Sequence, residues 1–145
     1  MIRPFHTGSE KRMHSLKSQP PNAAFWALTP RAKIVAARLM EKWERGTLFA
    51  GPSITTIPAG AVRFDSLMES VSRNFNKFHA HIFIMAAGIV VRTIAPCLKS
   101  KLSDPAVVVV DDHGRFAISL LSGHLGGANE IAGQVARCLD ALPVI

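Results

Sequence analysis

The sequence predicts an α/β domain built on a three-layer open sheet, mainly parallel, with one antiparallel hairpin. From Ala24 onward, short apolar runs alternate with segments of helical periodicity, which is the pattern of a parallel sheet covered by helices on both faces. Nearer the carboxyl end, the runs "AVVVV" and "RFAISLLS" flank the turn sequence "DDHG". Two strand-like runs so close together favour a hairpin, so one antiparallel pair is expected in the sheet.

The first half of the domain is expected to hold two strands and two helices. "AFWALT" is apolar and aromatic, as is typical of a strand. Thr29 followed by Pro30 predicts a helix start, because a hydroxyl N-cap and an early proline both favour one. This helix is expected to end at Gly46 and to have an apolar face formed by Ile34, Val35, Ala37, Leu39 and Met40. "TLFA" predicts the second strand, "GPSITTIPAG" a loop, and residues 63–78 the second helix.

The second half contains the most apolar segments. "HIFIMAAG" is a continuous apolar run that predicts a strand in the middle of the sheet. "IVVRTIAPCL" predicts a helix that Pro96 bends or stops. The last helix has one apolar face, formed by Ala128, Ile131, Ala132, Val135, Ala136 and Leu139. "LPVI" predicts a further buried strand, and a buried strand at the last residues suggests that more protein follows.

Length and composition favour a single domain. The chain has 145 residues and is 48% hydrophobic, which suits one globular unit. Residues 1–22 are interpreted as a disordered basic leader and 23–145 as the domain, since the leader lacks the apolar core of a secretion signal. No apolar run reaches the roughly 20 residues of a membrane span, so we expect a cytoplasmic protein with no membrane partner. Cys97 and Cys138 lack metal-type spacing and are expected to be buried, reduced thiols.

The positive charge of the chain raises the question of nucleic-acid binding. The formal net charge is +7, but residues 1–45 carry nine Lys/Arg against three Asp/Glu, whereas residues 46–145 carry eight against seven. The excess of positive charge therefore lies in the leader and the first helix. Most phenylalanines occur in apolar runs and are not interleaved with basic residues. No nucleic-acid partner is expected, and the sequence gives no indication of an oligomeric state.

Two segments share one design, a strand that runs through glycine into a helix. The first leads from Ala86 to Gly88, and the second from Gly123 through Gly126 and Gly127. Glycine lets a ligand approach the unpaired N–H groups of a helix start, which favour anions. Turn geometry alone also explains a glycine pair. Whether the two loops share one edge of the sheet stays open, because the second strand belongs to the hairpin.

Three polar side chains accompany these loops. His124 lies between glycines, Asn129 lies at the start of the last helix, and Arg92 falls one turn into the helix after Gly88. A guanidinium group binds a carboxylate in fork geometry, although a surface salt bridge is the alternative role for Arg92. The other histidines that could serve in place of His124 are His79, His81 and His113.

The sequence predicts no bound metal. Asp111 and Asp112 precede Gly114 and are interpreted as turn residues rather than metal ligands. HExxH, CxxC and paired histidine ligands do not occur. Neither do the fingerprint GxGxxG after the first strand, the phosphate loop GxxxxGK[ST] or the nucleophile elbow GxSxG. Nucleotide binding and a serine-hydrolase triad are therefore not indicated.

Three segments together resemble a known family. "AAGIVVRTIAP", "KLSDPAVVVVDDHGRFAISLLSGHLGGANEIA" and "LPVI" look like the amino-terminal domain of the cobalamin-biosynthesis CbiG family, the cobalt-precorrin 5A hydrolases. The resemblance runs from about Ile82 to Ile145, while residues 23–81 match only in general layout. It implies an α/β fold and an enzyme of the anaerobic vitamin B12 pathway. That enzyme opens the ring A δ-lactone of a cobalt corrinoid intermediate and releases acetaldehyde.

The resemblance also implies the partners and the site. The substrate carries the cobalt, so no cofactor is expected, and a separate carboxyl-terminal domain of the family or other pathway enzymes are expected partners. Lactone hydrolysis needs an activated water and donors for the oxyanion. We hypothesise that His124 is the general base or acid and that Asn129 orients substrate or water. The substrate-binding set, with Arg92 on a carboxylate and glycine N–H groups as donors, is Gly88, Arg92, Gly123, Gly126 and Gly127. The alternative is a non-catalytic corrinoid-binding or interaction module that needs the separate domain for activity.

Overall fold

The computed structural model describes residues 21–145 as one seven-stranded sheet with helices on both faces. Strands β1 to β7 span Ala23–Ala27, Gly46–Ala50, Val62–Arg63, Ala80–Ile84, Ala106–Val110, Phe116–Leu121 and Leu142–Val144. Helices α1 to α4 span Pro30–Met40, Leu67–Asn74, Ala87–Ile94 and Ala128–Leu139. The predicted leader lies outside the described residues except for its last two, Pro21 and Asn22. Their carbonyl oxygens accept hydrogen bonds from Trp43 and His79.

The sheet order is β3-β2-β1-β4-β5-β6-β7, and every adjacent pair is parallel except β5 and β6. Helices α1 and α4 pack on one face, and α2 and α3 pack on the other. The predicted fold class, a three-layer α/β sheet with one antiparallel hairpin, is confirmed. The predicted face of α4 is buried residue by residue.

The direction of winding reverses between β1 and β4. From β1 the chain passes through α1 to β2 on one side, and from β4 it passes through α3 to β5 on the other. The loops that leave these two central strands therefore part to opposite sides. In open α/β sheets, such a reversal opens a crevice at the carboxyl ends of the two strands.

A buried histidine braces the two central strands. His81 of β4 has no exposed surface, accepts a hydrogen bond from the Trp26 indole N–H at Nδ1 (3.1 Å), and donates from Nε2 to the Phe75 carbonyl oxygen (2.9 Å). This pairing fixes the neutral ring with its proton on Nε2. Burial lowers the pKa of His81 to about 4, although the bond to Phe75 acts in the opposite direction. His81 is therefore a core residue rather than a solvent-facing functional histidine.

Two sequence predictions for the first half need correction. Helix α1 ends at Met40 rather than at Gly46, which begins β2, and Ile34 is 60% exposed. Val35 and Leu39 are buried as predicted, and Ala32 and Ala36 complete the buried face. Its many alanines make two neighbouring stripes almost equally apolar, so periodicity alone selects the wrong one.

The predicted helix at 63–78 is also too long. Val62 and Arg63 form the short strand β3 beside β2. Helix α2 begins only after Ser66, whose hydroxyl group accepts a hydrogen bond from the Glu69 N–H at 3.3 Å. It ends at Asn74, and a turn of 3₁₀-helix follows. A side-chain cap thus sets the start, inside a run whose apolar spacing looks continuously helical.

Burial differs from expectation at the cysteines and at the last strand. Cys97 and Cys138 are free thiols but only half-buried, because each lies at the margin of its helix contact. Strand β7 was expected to be buried, yet Leu142, Pro143 and Val144 are all exposed. The strand pairs with β6 at the end of the sheet, where no further strand of the described chain covers it.

Candidate functional site

The two glycine-marked loops lie at opposite edges of the sheet, where an edge means one set of strand ends: the first loop is at the carboxyl end of β5 and the second is near its amino end. Strand β4 ends at Ile84 beside Val110, the last residue of β5, and the chain then reaches Gly88. Strand β6 runs the other way and ends at Leu121 beside Val107, near the start of β5. The antiparallel direction of β6 therefore carries the second loop away from the first. This settles the question that the sequence leaves open.

The second loop, residues 122–127, is called the glycine loop here. It is wound so tightly that a Cβ atom at Gly126 would lie 2.4 Å from the Ser122 Cβ and 2.9 Å from the Ser122 carbonyl oxygen. Ser122 and Gly127 both have positive φ, at 60° and 83°. The left-handed conformation of Gly127 turns the chain directly into α4. Glycine is thus required here by close approach at one position and by backbone conformation at another.

The glycine loop uses some of the N–H groups at the start of α4. The Ala128 N–H donates to the Ser122 carbonyl oxygen at 3.0 Å, and the Asn129 N–H donates to that of Gly123 at 3.2 Å. These donors are not available for a ligand. In the part of the chain that the structure describes, the N–H groups of Gly126 and Gly127 have no acceptor. These two N–H groups are therefore among the backbone donors that remain free in the loop.

His124 extends from the same loop. Both His124 and Leu125 are exposed, and within residues 21–145 the His124 side chain makes no hydrogen bond. The imidazole and the two backbone donors thus occur within four residues of one exposed loop. An imidazole that is free of structural bonds can exchange a proton with a bound water or ligand.

Asn129 lies beneath the loop rather than on its surface. Its Oδ1 accepts a hydrogen bond from the Ser119 hydroxyl of β6 at 2.6 Å. A Cβ atom at Gly123 would lie 2.7 Å from the same oxygen. On the other side, the Ser122 hydroxyl donates to the Asp104 carbonyl oxygen at 3.1 Å. These contacts join the start of α4 to β6 and the loop to the segment before β5.

A crevice occupies the opposite edge, where the winding reverses between β1 and β4. It has a volume of about 400 Å³ and is mostly apolar, and its lining includes Leu28, Thr29, Met85, Ala86, Asp111 and Asp112. The Thr29 hydroxyl accepts from the Ala32 N–H, which caps α1 as predicted, and lies 3.3 Å from the Asp112 carboxylate. Sequence reasoning assigned Thr29 and Asp112 only local roles. Each lies two residues after the end of a strand, but only the strand order brings them together.

Helix α3 begins at this crevice without a side-chain cap. Its N-cap residue is Ala86, and the N–H groups of Ala87 and Gly88 have no acceptor among residues 21–145. The position of a Cβ atom at Gly88 has no atom within 4 Å. Arg92 is exposed four residues further on, so it shares a side of α3 with Gly88. The structure does not bring either residue together with His124.

Asp111 has the structural role predicted for it. Its carboxylate accepts hydrogen bonds from the N–H groups of His113, Arg115 and Phe116. Desolvation acts to raise the pKa of Asp111, but these bonds outweigh it and hold the pKa below its ordinary value. Within residues 21–145, no three His, Cys, Asp or Glu side chains lie close enough to share a metal ion. None of the helices described is long and apolar enough to cross a membrane.

Comparison with known proteins places these features in a family. A cobalt-precorrin-5A hydrolase from Salmonella typhimurium is 41% identical over 128 residues, which are 88% of this chain and 36% of that protein. A protein of the same name from Priestia megaterium is 56% identical over 87 residues, 60% of this chain and 22% of that one. The chain therefore spans about a third or less of the length of these relatives.

A solved structure agrees with the fold. The crystal structure of a cobalamin biosynthesis protein G homolog from Sulfolobus solfataricus superposes with a TM-score of 0.62 and 26% identity, and covers 86% of this chain and 36% of that one. The family model described as cobalamin synthesis G N-terminal matches residues 69–145. This match takes in both the crevice strand β4 and the whole glycine loop. The chain thus belongs to the family of cobalamin synthesis G amino-terminal domains.

Proposed function

We propose that this chain is the amino-terminal part of a cobalt-precorrin-5A hydrolase of cobalamin biosynthesis. Such an enzyme opens the ring A lactone of a cobalt corrinoid and releases acetaldehyde. The observation that carries the proposal is the 41% identity to a protein of that name over 88% of this chain. We further propose that the chain acts in the cytoplasm and binds no cofactor, since the cobalt belongs to the substrate.

The glycine loop is the proposed place of lactone hydrolysis. The oxygen of a water molecule adds to the lactone carbonyl carbon, and the His124 imidazole takes the proton that this water molecule loses. The carbonyl oxygen becomes an oxyanion, which the free N–H groups of Gly126 and Gly127 stabilise. The ring C–O bond then breaks, and the leaving oxygen takes a proton back from the imidazolium. The exposure of His124 supports this role, because no structural bond competes for the ring.

Asn129 and Gly123 support this reaction indirectly. The Asn129 Oδ1 accepts a hydrogen bond from the Ser119 hydroxyl, which holds the side chain in one place. The proposed role of Asn129 is to hold the glycine loop in a fixed position relative to β6. Gly123 allows this because a larger residue would collide with the Asn129 side chain.

A second candidate function follows from the separation of the two edges. The sequence predicts one site that contains Gly88, Arg92 and His124. In the structure, Gly88 and Arg92 lie on α3, which packs on the other face of the sheet from α4. A domain that binds the corrinoid through Gly88 and Arg92, without catalysis, would need only the crevice side. The guanidinium of Arg92 would pair with a peripheral acetate or propionate. The short span of this chain relative to its relatives favours such a division of labour.

Two measurements separate these functions. The first is acetaldehyde release from cobalt-precorrin 5A, by this chain and by the longer Salmonella typhimurium protein, each with the residue at the position of His124 changed to alanine. Hydrolysis at the glycine loop predicts that His124→Ala lowers the rate by about 10²-fold or more, while the matched surface change His113→Ala leaves it unaltered. Normal release by His124→Ala in both proteins would exclude the catalytic role.

The second measurement is an absorbance titration of the chain with cobyrinic acid, a cobalt corrinoid with free carboxylates. Binding without turnover, weakened severalfold by Arg92→Ala, supports the binding module. Turnover that depends on His124 supports the hydrolase. If the chain neither binds cobyrinic acid nor releases acetaldehyde, both functions are wrong for the chain on its own.

A further inference from the structure

Strands β6 and β7 present an apolar surface that none of the helices within residues 21–145 covers. Their residues alternate between the two sheet faces. Ala117 packs in the core beneath α4, and Ser119 on the same face bonds to Asn129 of α4. The outward set therefore contains Phe116, Ile118 and Leu120 of β6. In the parallel register, Leu142 of β7 lies beside Phe116 and Val144 beside Ile118. We call this set of five side chains the β6–β7 face.

The β6–β7 face is unlike an ordinary solvent-facing sheet. Phe116 is 42% exposed, Leu142 60% and Val144 41%, while Ile118 and Leu120 are half-buried. Scattered exposed apolar residues are normal, but contiguous ones mark interaction surfaces. In β6 the polar residue, Ser119, points toward the helix layer, and the large apolar residues point away from it. This is the pattern of a sheet that is covered on both faces.

The helices of the described chain leave this face open. Helix α4 packs against β5, β6 and β7, but on the opposite face neither α2 nor α3 makes comparable contact with β6 or β7. Ile89, at the start of α3, shares the crevice lining with Ile118 and is 42% exposed. The uncovered face is thus continuous with the crevice.

The length of the relatives and the lack of positive charge on the β6–β7 face indicate what covers this face. This chain covers only 36% of the Salmonella typhimurium relative, 22% of the Priestia megaterium relative and 36% of the Sulfolobus solfataricus structure. Most of each longer protein lies outside the part that this domain matches. A carboxylate-rich corrinoid suits the face less well, because none of its five side chains is cationic and the nearby Arg115 already pairs with Asp111 at 3.7 Å.

We propose that the β6–β7 face is the docking surface for the polypeptide that makes up the remainder of the longer family members. The interaction buries five apolar side chains and closes the crevice from one side, so that the crevice becomes a cleft between two parts of the protein. This inference rests on the family membership and on the proposed function, in which this chain is one part of a longer hydrolase. It does not rest on the role of His124.

The test compares the accessibility of this face in the two kinds of protein. Phe116→Cys and the control Ile34→Cys are each introduced into a background that lacks the native thiols. The same changes are made at the aligned positions of the Salmonella typhimurium protein. Both positions are exposed in this chain, so a maleimide should label them at similar rates. In the longer protein, labelling at 116 should slow at least tenfold, while labelling at 34, on α1, stays fast.

Other occupants give different outcomes. Equal labelling at 116 in both proteins overturns the proposal. Protection at 116 in this chain alone also overturns it, and sedimentation equilibrium then shows whether a second copy is responsible. If cobyrinic acid at saturating concentration protects position 116 in this chain, the face belongs to the substrate instead. Loss of catalysis in His124→Ala with position 116 still protected leaves the docking surface intact, so the two proposals fail separately.

Discussion

The Gly88 unit and the glycine loop look alike in sequence but use glycine for different reasons. In the glycine loop, Gly126 and Gly123 touch neighbouring atoms so closely that no side chain fits, and Gly127 adopts a left-handed conformation. At Gly88, nothing lies within 4 Å of a Cβ position, and the backbone is helical. A strand–glycine–helix pattern therefore does not by itself define a site. The surroundings decide whether glycine builds a loop or leaves space.

The strands that carry the two units also differ in how they are anchored. Strand β4, which leads to Gly88, holds the buried His81 between Trp26 and Phe75. Strand β6, which leads to the glycine loop, has the half-buried pair of Ser119 and Asn129. The free energy of unfolding depends on pH when a buried contact includes a titratable group such as His81. A contact between a hydroxyl and an amide, such as Ser119 with Asn129, gives no such dependence. The two regions should therefore respond differently to acid.

The largest expected effect is the acid sensitivity that His81 confers. Because its pKa is about 4 in the folded protein and 6.5 in the unfolded chain, the unfolded chain binds a proton first as the pH falls. The free energy of unfolding should therefore be fully retained above pH 6.5 and decrease by about 3 kcal/mol as the pH falls to 4. Urea denaturation at half-unit pH intervals measures this loss.

His81→Leu is the control for that titration. The variant should be less stable than the parent at neutral pH, since the Trp26 indole N–H and the Phe75 carbonyl oxygen lose their partner. Its stability should nevertheless change less between pH 6.5 and 4.5 than that of the parent. The same pH dependence in both proteins would mean that another group is responsible. Asp111 does not interfere, because its lowered pKa places its titration below this range.

A pair of alanine substitutions gives the next largest effect and compares the glycines directly. Gly126→Ala places a Cβ atom against Ser122 backbone and side-chain atoms and should cost about 1–3 kcal/mol. Gly88→Ala meets no atoms and restricts only the unfolded chain, so it should stabilise by about 0.4–1 kcal/mol. Thermal melting of both variants gives the two signs. A loss of stability in Gly88→Ala would show that its surroundings are tighter than described.

The smallest expected effect concerns the anchor of the glycine loop. Asn129→Ala removes the hydrogen bond to the Ser119 hydroxyl and should cost about 1 kcal/mol. Ser119→Ala removes the same bond from the other side, so the double variant should cost less than the sum of the single ones. Additive losses in this double-mutant cycle would mean that the two side chains do not stabilise each other. Backbone hydrogen exchange at Ala128, whose N–H donates to the Ser122 carbonyl oxygen, should rise in either single variant.

Sequence periodicity predicted the elements better than their placement. The buried face of α4 follows a strict 3.6-residue spacing of apolar residues, and the structure buries each of the six predicted residues. In α1 the alanines blur the pattern, and Ile34 was placed on the wrong side. The turn role of Asp111 and the cap role of Thr29 were also predictable, because both depend on bonds within a few residues along the chain.

The arrangement of the site depends on contacts between distant residues, which local patterns do not contain. Whether His124 and Gly88 share an edge is decided by the direction of β6 and by the order of the strands. The same is true of the crevice, where Thr29 meets Asp112 across 83 positions of sequence. His81 gave no local signal either, since its partners are Trp26 of another strand and a carbonyl oxygen before β4. The separation of the two loops, the Thr29–Asp112 contact and the bonds of His81 therefore follow from the order and direction of the strands, which local residue preferences do not reveal.

The reversed direction of β6 also bears on how the family can vary. The crevice and the glycine loop share no side chain, and they lie at opposite ends of β5. Free-energy changes at such distant sites add without coupling. A substitution at the crevice rim therefore needs no compensating change at His124. Each edge of this domain can therefore change without altering the other, which lets one small sheet carry two independent sites.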